Sequence, residues 1–380
     1  SIIYFIFNKR KNDTLERKRS IKWLFITTGF YGCFILSLVY SSNINAGFLE
    51  IQHTIGLLIF PLVFFLLIDK LTTKVIEIIH FCFVLSCAIL VLFINYTFYK
   101  EGVFNYSEEI TFYNLPYREV LAEVQFNDYH PTYISLWFSY CVLFLVNFLV
   151  KKSKEISKLN LVLVVFALII FVEAIVLLSS RIAQFSFIIS CIIYGLIEIK
   201  SRKRKSVFLG VILLTTFLLI TKVSFFKSRF IDEYVATELA PPVGEVHNSI
   251  NIRVGTYLCS LEKIKDNLFF GVGIGDVQDS LNECYHNFDT NVYRNTTYNT
   301  HNYYFHTILA TGIIGFLLLL MMMYYCFRLA LKSKNTLYIS FIVLIFISLL
   351  SENVLLRIHG VLFFAFFNSI FIKQLIQKEN

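Results

Sequence analysis

Long apolar runs broken by short polar stretches dominate the chain. Runs near 21–40, 51–68, 75–98, 131–150, 159–178, 182–199, 206–221, 303–326, 337–350 and 361–376 stand out. Each approaches the roughly 20 apolar residues that a helix needs to cross a hydrocarbon core. They predict ten spans, an all-α polytopic membrane protein. The opening Ser1–Phe7 reads as the tail of another helix, and without an initiator Met the chain is expected to lack its true N-terminus. No signal peptide is visible.

Composition agrees. Hydrophobic residues make up 57% and charged residues 16%, against about 25% charged in a soluble domain. That excludes a disordered chain, a secreted disulfide scaffold and a cytosolic enzyme. The net charge of +8 does not point to nucleic acid. In a membrane protein, Lys and Arg first report orientation. One alternating set of loops, at 9–22, 69–74, 151–158, 200–205, 328–334 and the C-terminal tail, holds 23 of the 34 basic residues and is expected to be cytoplasmic.

The opposite face carries a loop of about 30 residues (98–130) and one of about 80 (221–302). Long loops are commonly functional, so chemistry is expected on the extracytoplasmic side. The organisation reads as N-terminal helices with an outer loop (1–220), a large extracytoplasmic loop (221–302) and C-terminal helices (303–380). Six cysteines lie in apolar runs, as small hydrophobes. Cys259 and Cys284 lie in the polar loop, where they either pair or stay free thiols.

Several residues carry candidate chemistry. Arg181 is the single charge in an outer turn between two apolar runs. It either snorkels to headgroups or holds a phosphate with its planar donors. In the large loop, Asn251-Ile-Arg253-Val-Gly-Thr-Tyr257 reads as the start of a helix ending at Asn267. Gly271-Val-Gly273-Ile-Gly275 follows, either a tight turn or a backbone approach to an anion. The loop ends at His301-Asn302, where an imidazole can act as a base or bind phosphate. The shorter loop is acidic, with Glu108, Glu109, Glu119, Glu123 and Asp128, and ends at His130-Pro-Thr-Tyr133 on a helix entrance. Glu352 sits in a late outer turn, placed either to pair with Arg357 or to orient a catalytic group. His286, His301, His306 and Cys284 match no recognised zinc spacing.

These residues, in this order, resemble the O-antigen ligase and polymerase superfamily, including WaaL-type ligases. The features are a Ser-Arg outer turn, an Arg-x-x-x-aromatic helix, a Gly-x-Gly segment and a His-Asn at the loop's end, spread over roughly residues 130–360. The resemblance implies a GT-C-like bundle of about 10–12 transmembrane helices with a large extracytoplasmic loop. It implies Arg181, Arg253 and His301 as catalytic groups. His130, Tyr133, Tyr257, Gly273, Gly275, Asn302 and Glu352 are expected to contact substrate. The implied donor is a glycan on undecaprenyl pyrophosphate, and the acceptor another glycan, such as lipid A–core. The implied location is the bacterial inner membrane, with the active site on the periplasmic face and membrane lipids as neighbours. An inverting transfer with no cofactor and no metal is expected, because two arginines can neutralise the leaving pyrophosphate. The chain departs from the family where Tyr257 stands for Trp, Asn267-Leu268 for Pro, and His306 for an acidic residue.

Within this reading a ligase, a polymerase and a protein O-glycosylating transferase are sisters. A flippase for lipid-linked glycans would place its charges along a central path with short loops. A structural subunit of an envelope machine would leave Arg181, Arg253 and His301 replaceable. The orientation has a direct check. A Cys introduced at Lys203 should be shielded from an impermeant thiol reagent in intact cells, and one at Asp289 should be labelled. The reverse pattern would invert the topology.

Overall fold

The computed structural model describes residues 14–103, 117, 120–121, 130–152 and 155–378. The acidic residues Glu108, Glu109, Glu119, Glu123 and Asp128 and the opening Ser1–Phe7 lie outside them. The described residues are helices and turns. Their one β-type pairing is an isolated bridge between Val243 and Val246.

In chain order the main helices are α1 (Thr14–Ser37), α2 (Ile44–Thr54), α3 (Gly56–Leu62), α4 (Thr73–Lys100) and α5 (Pro131–Lys152). Then come α6 (Lys158–Leu178), α7 (Arg181–Glu198), α8 (Arg202–Lys222), α9 (Ser249–Asp266) and α10 (Val277–Tyr285). The last are α11 (Tyr303–Lys332), α12 (Thr336–Ser348) and α13 (Ile358–Lys378).

Among the described residues, eight helices are long and apolar enough to cross a membrane, or up to nine if a bent pair counts as one. That corrects the expected ten. The run at 51–68 is the bent pair α2 and α3, turned by 40° at Ile55. Pro61 lies inside α3, and a π turn over Val63–Leu67 follows it. The run at 337–350 becomes α12, only 13 residues long. At 1.5 Å per residue it rises ~20 Å, short of a core of ~30 Å.

The chain forms two compact units. The first comprises the described residues of Ser1–Ile76, Leu239–Lys334 and Leu349–Asn380. In it α1 packs on α11, and α13 on α3. Phe30, Tyr31 and Phe34 of α1 are fully enclosed. The buried Lys373 ammonium meets Glu16 at 3.0 Å, the pairing that a charge on an apolar helix requires. The second comprises the described residues of Glu77–Glu238 and Asn335–Ser348. Here α7 packs on α12 and α5 on α6 and α7. Small buried serines line the first contact: Ser348 meets Ser186 at 3.0 Å, and the Ser340 hydroxyl reaches the Ser190 carbonyl at 3.4 Å. Small residues let helix backbones approach closely in an apolar medium.

Within the first unit, the loop segment 268–276 is tied to helix ends. α11 breaks at Gly312, whose φ of 66° and ψ of −166° no side chain accepts easily. The break leaves backbone groups without helical partners, and they must be satisfied. The Val272 amide donates to the Leu309 carbonyl at 2.7 Å, and the Ile313 amide to the Leu268 carbonyl at 2.8 Å. A Cβ at Gly312 would strike the Phe269 carbonyl, and one at Gly271 the Leu309 carbonyl. Further along, the Asp276 carboxylate accepts the Ser42 and Asn43 amides, both at 2.7 Å, at the start of α2.

Gly312→Ala should therefore destabilise the protein by ~1–3 kcal/mol from backbone strain alone, more once the loop backbone is displaced. Gly210 of α8 has open space where a Cβ would go. Gly210→Ala should keep membrane abundance and apparent melting temperature in detergent at wild-type values while Gly312→Ala lowers both.

Candidate active site

The first unit gathers Arg253, Tyr257, His301, Asn302 and Glu352. α9 brings the first two. Asn248 caps it, with Oδ1 accepting the Ile250 and Asn251 amides, while Asn251 Oδ1 accepts the Asn248 amide. This reciprocal box starts the helix two residues before the expected Asn251. Arg253 and Tyr257 then lie one turn apart on one face. The disulfide Cys259–Cys284 joins α9 to α10, resolving the choice left open by the sequence. Cys284 is thereby no thiolate ligand for a metal.

Tyr257 links the group. Its hydroxyl reaches the Leu350 carbonyl at 3.1 Å and the His301 carbonyl at 3.3 Å. Burial raises its pKa above that of an ordinary phenol, opposed by Arg253 and a Ser351 hydrogen bond, while Glu352 adds to the rise. The hydroxyl thus stays protonated as a donor.

His301 has a φ of 44°, left-handed for a residue with a Cβ. Such strain persists only where the surroundings enforce it. Here the His301 amide donates to Asn299 Oδ1 at 2.9 Å. The next residue, Asn302, caps α11 by accepting the Tyr304 and Phe305 amides at 3.0 and 3.2 Å. Thr300 and Asn353 hydrogen-bond through buried side chains at 3.0 Å. His301 Nδ1 lies 3.9 Å from Glu352 Oε2, an ion-pair distance beyond hydrogen-bond length. Arg253 Nη1 donates to the Ser249 carbonyl at 2.8 Å. Its buried Nε makes no hydrogen bond among the described residues.

The glycines have other neighbours. The Ile274 amide donates to Ser37 Oγ and the Gly275 amide to Ser41 Oγ, both at 3.1 Å. A Cβ on Gly273 would meet Ser41, and one on Gly275 the Asn43 carbonyl. Close backbone packing on the ends of α1 and α2 accounts for both glycines. Beside them lies an open polar cavity of about 850 Å³, lined by Tyr40, Asn43, Asn267, Asp279, Ser280 and Glu283 among others.

Arg181, His130 and Tyr133 belong to the second unit. Arg181 opens α7 after Ser179 turns left-handed at a φ of 50° and ends α6. The Ser180 hydroxyl meets Thr132 Oγ1 at 2.8 Å, fixing this turn to the start of α5. Tyr133 is buried, and the exposed His130 ring packs edge-on against it. Arg181 Nη2 lies 3.6 Å from Glu233 Oε1, and Glu233 Oε2 accepts from Arg229 Nη1 at 2.7 Å. Sequence reasoning singled out neither Glu233 nor Arg229. The available signal was an Arg and a Glu four apart, just past an apolar run.

A family model described as O-antigen ligase matches residues 165–320. The chain carries an O-antigen ligase family domain. Arg181, Arg253 and His301 all fall within the matched residues, and Glu352 lies beyond them. Comparison with curated proteins gives no match. The apolar helices make this an integral membrane protein, with residues 165–320 similar to the O-antigen ligase family.

The support beneath His301 can be tested separately from chemistry. Asn353→Leu removes the side-chain hydrogen bond between Thr300 and Asn353, while the Thr300 hydroxyl keeps the Asn302 carbonyl as acceptor, at a cost of ~0.5–1.5 kcal/mol. The apparent melting temperature in detergent should fall. An unchanged value would show that this hydrogen bond does not hold the start of α11.

Proposed function

We propose that this protein transfers a glycan from undecaprenyl pyrophosphate to a hydroxyl of an acceptor glycan, as an O-antigen ligase does with lipid A–core. The observation that carries the reading is that Arg253, Tyr257, His301 and Glu352 converge in one unit, with three of the four inside the O-antigen ligase match. The disulfide supports placing the large loop on the oxidising, periplasmic side of the inner membrane.

In this reaction the acceptor oxygen attacks the anomeric carbon as the bond to the pyrophosphate oxygen breaks. The leaving group takes the electron pair, and direct attack inverts the anomeric centre. Charge that develops on the phosphates calls for guanidinium groups, the role proposed for Arg253 and, separately, for Arg181. The buried Nε of Arg253 is one donor suited to that task. His301 takes the acceptor proton, and Glu352 stabilises the imidazolium that results. Catalytic contacts are commonly long before substrate binds, which fits the 3.9 Å separation. Polymerisation onto a second lipid-linked chain uses the same steps with a different acceptor.

The test is transfer activity in well-expressed variants. Arg253→Lys should be nearly as damaging as Arg253→Ala, because a point charge does not replace a planar two-donor contact. Loss of such a contact costs ~3 kcal/mol, or about two orders of magnitude in rate. His301→Ala should also abolish turnover while the protein still inserts. Wild-type turnover in abundant Arg253→Ala and His301→Ala proteins would falsify this assignment.

A further inference from the structure

Arg181 is held by a triad that its sequence neighbourhood does not announce. Glu233 is fully buried, and its carboxylate touches two guanidinium groups from opposite oxygens. Oε2 accepts from Arg229 Nη1 at 2.7 Å, and Oε1 lies 3.6 Å from Arg181 Nη2. A second hold comes from the backbone, where Arg181 Nη1 donates to the Arg229 carbonyl at 3.1 Å. Exposure is graded across the three. The Arg181 side chain is 24% exposed, that of Arg229 7% and that of Glu233 0%. Only Arg181 faces outward to an appreciable degree.

The local backbone builds this arrangement. Ser228–Asp232 forms a π turn, a widened coil often found at functional sites. Arg229 lies within it and Glu233 follows it directly, four residues on, and their side chains meet. Arg181 comes from elsewhere in the chain, as the first residue of α7. Its position is fixed by the left-handed Ser179 and the Ser180–Thr132 hydrogen bond.

We propose that Glu233 is a positioning residue for Arg181. Together with the Arg229 carbonyl it holds the guanidinium ready for the pyrophosphate of the lipid-linked donor, and the Arg229 side chain holds the carboxylate in place. The inference rests on the reading of Arg181 as a phosphate-binding group. A free Arg side chain loses rotamer freedom when it binds. An Arg already held gives that freedom up on folding, so binding is favoured. The Arg181–Glu233 distance exceeds hydrogen-bond length.

The experiment uses the purified full chain, a lipid-linked glycan donor and an acceptor glycan, with membrane abundance and apparent melting temperature followed in parallel. Glu233→Gln should lower kcat/KM for the donor about 30-fold, mainly through KM, and leave KM for the acceptor unchanged. Glu233→Asp, which keeps the charge, should recover most of the loss. In an Arg181→Lys background, which retains a residual rate, Glu233→Gln should cost less than threefold more. A purely structural role would instead move both KM values and multiply the losses. Should Glu233→Gln fail to accumulate, Glu233→Asp decides: its donor KM should rise about fivefold at normal abundance, and a wild-type donor KM overturns the proposal. A wild-type donor kcat/KM in Glu233→Gln, or a repeated 30-fold loss in the Arg181→Lys background, also overturns it. Full activity in Arg181→Ala would instead remove the underlying reading of Arg181. An inactive Arg181→Ala beside fully active Glu233 variants would remove this inference alone.

Discussion

Two backbone hydrogen bonds, from Val272 to Leu309 and from Ile313 to Leu268, bind the large loop to the break in α11. An apolar helix that breaks within a bilayer must have its freed amides and carbonyls satisfied by protein. Here the loop segment 268–272 supplies the partners, and Gly271 and Gly312 allow the backbones to touch. Asp276 then secures the same segment to the start of α2 through the Ser42 and Asn43 amides. The first turns of α11, with Asn302 as their cap and the strained His301 just before it, sit between this attachment and the Thr300–Asn353 hydrogen bond. The position of the candidate base is thus a consequence of backbone bookkeeping in an apolar environment.

A common device serves the basic groups. Glu352 stands beside His301 and Glu233 beside Arg181, each carboxylate less exposed than the group it supports. Arg253 is held by its own helix, through the Ser249 carbonyl. A buried carboxylate is costly unless it is paired and hydrogen-bonded. Glu233 meets that condition through Arg229 and Arg181, and Glu352 has the His301 imidazole at 3.9 Å.

The apolar periodicity made the helical fold legible, because a run of about 20 apolar residues has few alternatives in a membrane. Length alone misjudged two segments. Pro61 and the turn at Ile55 bend one, and the other stops after 13 residues. Arg181 stood out as a lone charge between two apolar runs, whereas Arg253 and His301 lie in polar loop sequence and stood out only through the order of the motifs. The glycines were ambiguous, because tight packing and anion binding demand the same absence of a side chain. Their serine and carbonyl neighbours come from the end of α1 and the stretch leading into α2, more than 200 residues earlier in the chain. Glu233 was hidden because its partner Arg181 lies far back in sequence, and a loop Glu near an Arg reads as a solvated pair. Pairing of Cys259 with Cys284 could not be told from two free thiols until α9 and α10 were seen side by side.

The central claim is bond transfer on a lipid-linked glycan. The most direct measurement reconstitutes the purified full chain in vesicles with a lipid-linked glycan and candidate acceptor glycans, and follows both product and free undecaprenyl pyrophosphate. The account predicts one new glycosidic bond of inverted configuration for each pyrophosphate lipid released. Movement of the intact lipid-linked glycan across the bilayer, with no bond cleaved and no product formed, would contradict it.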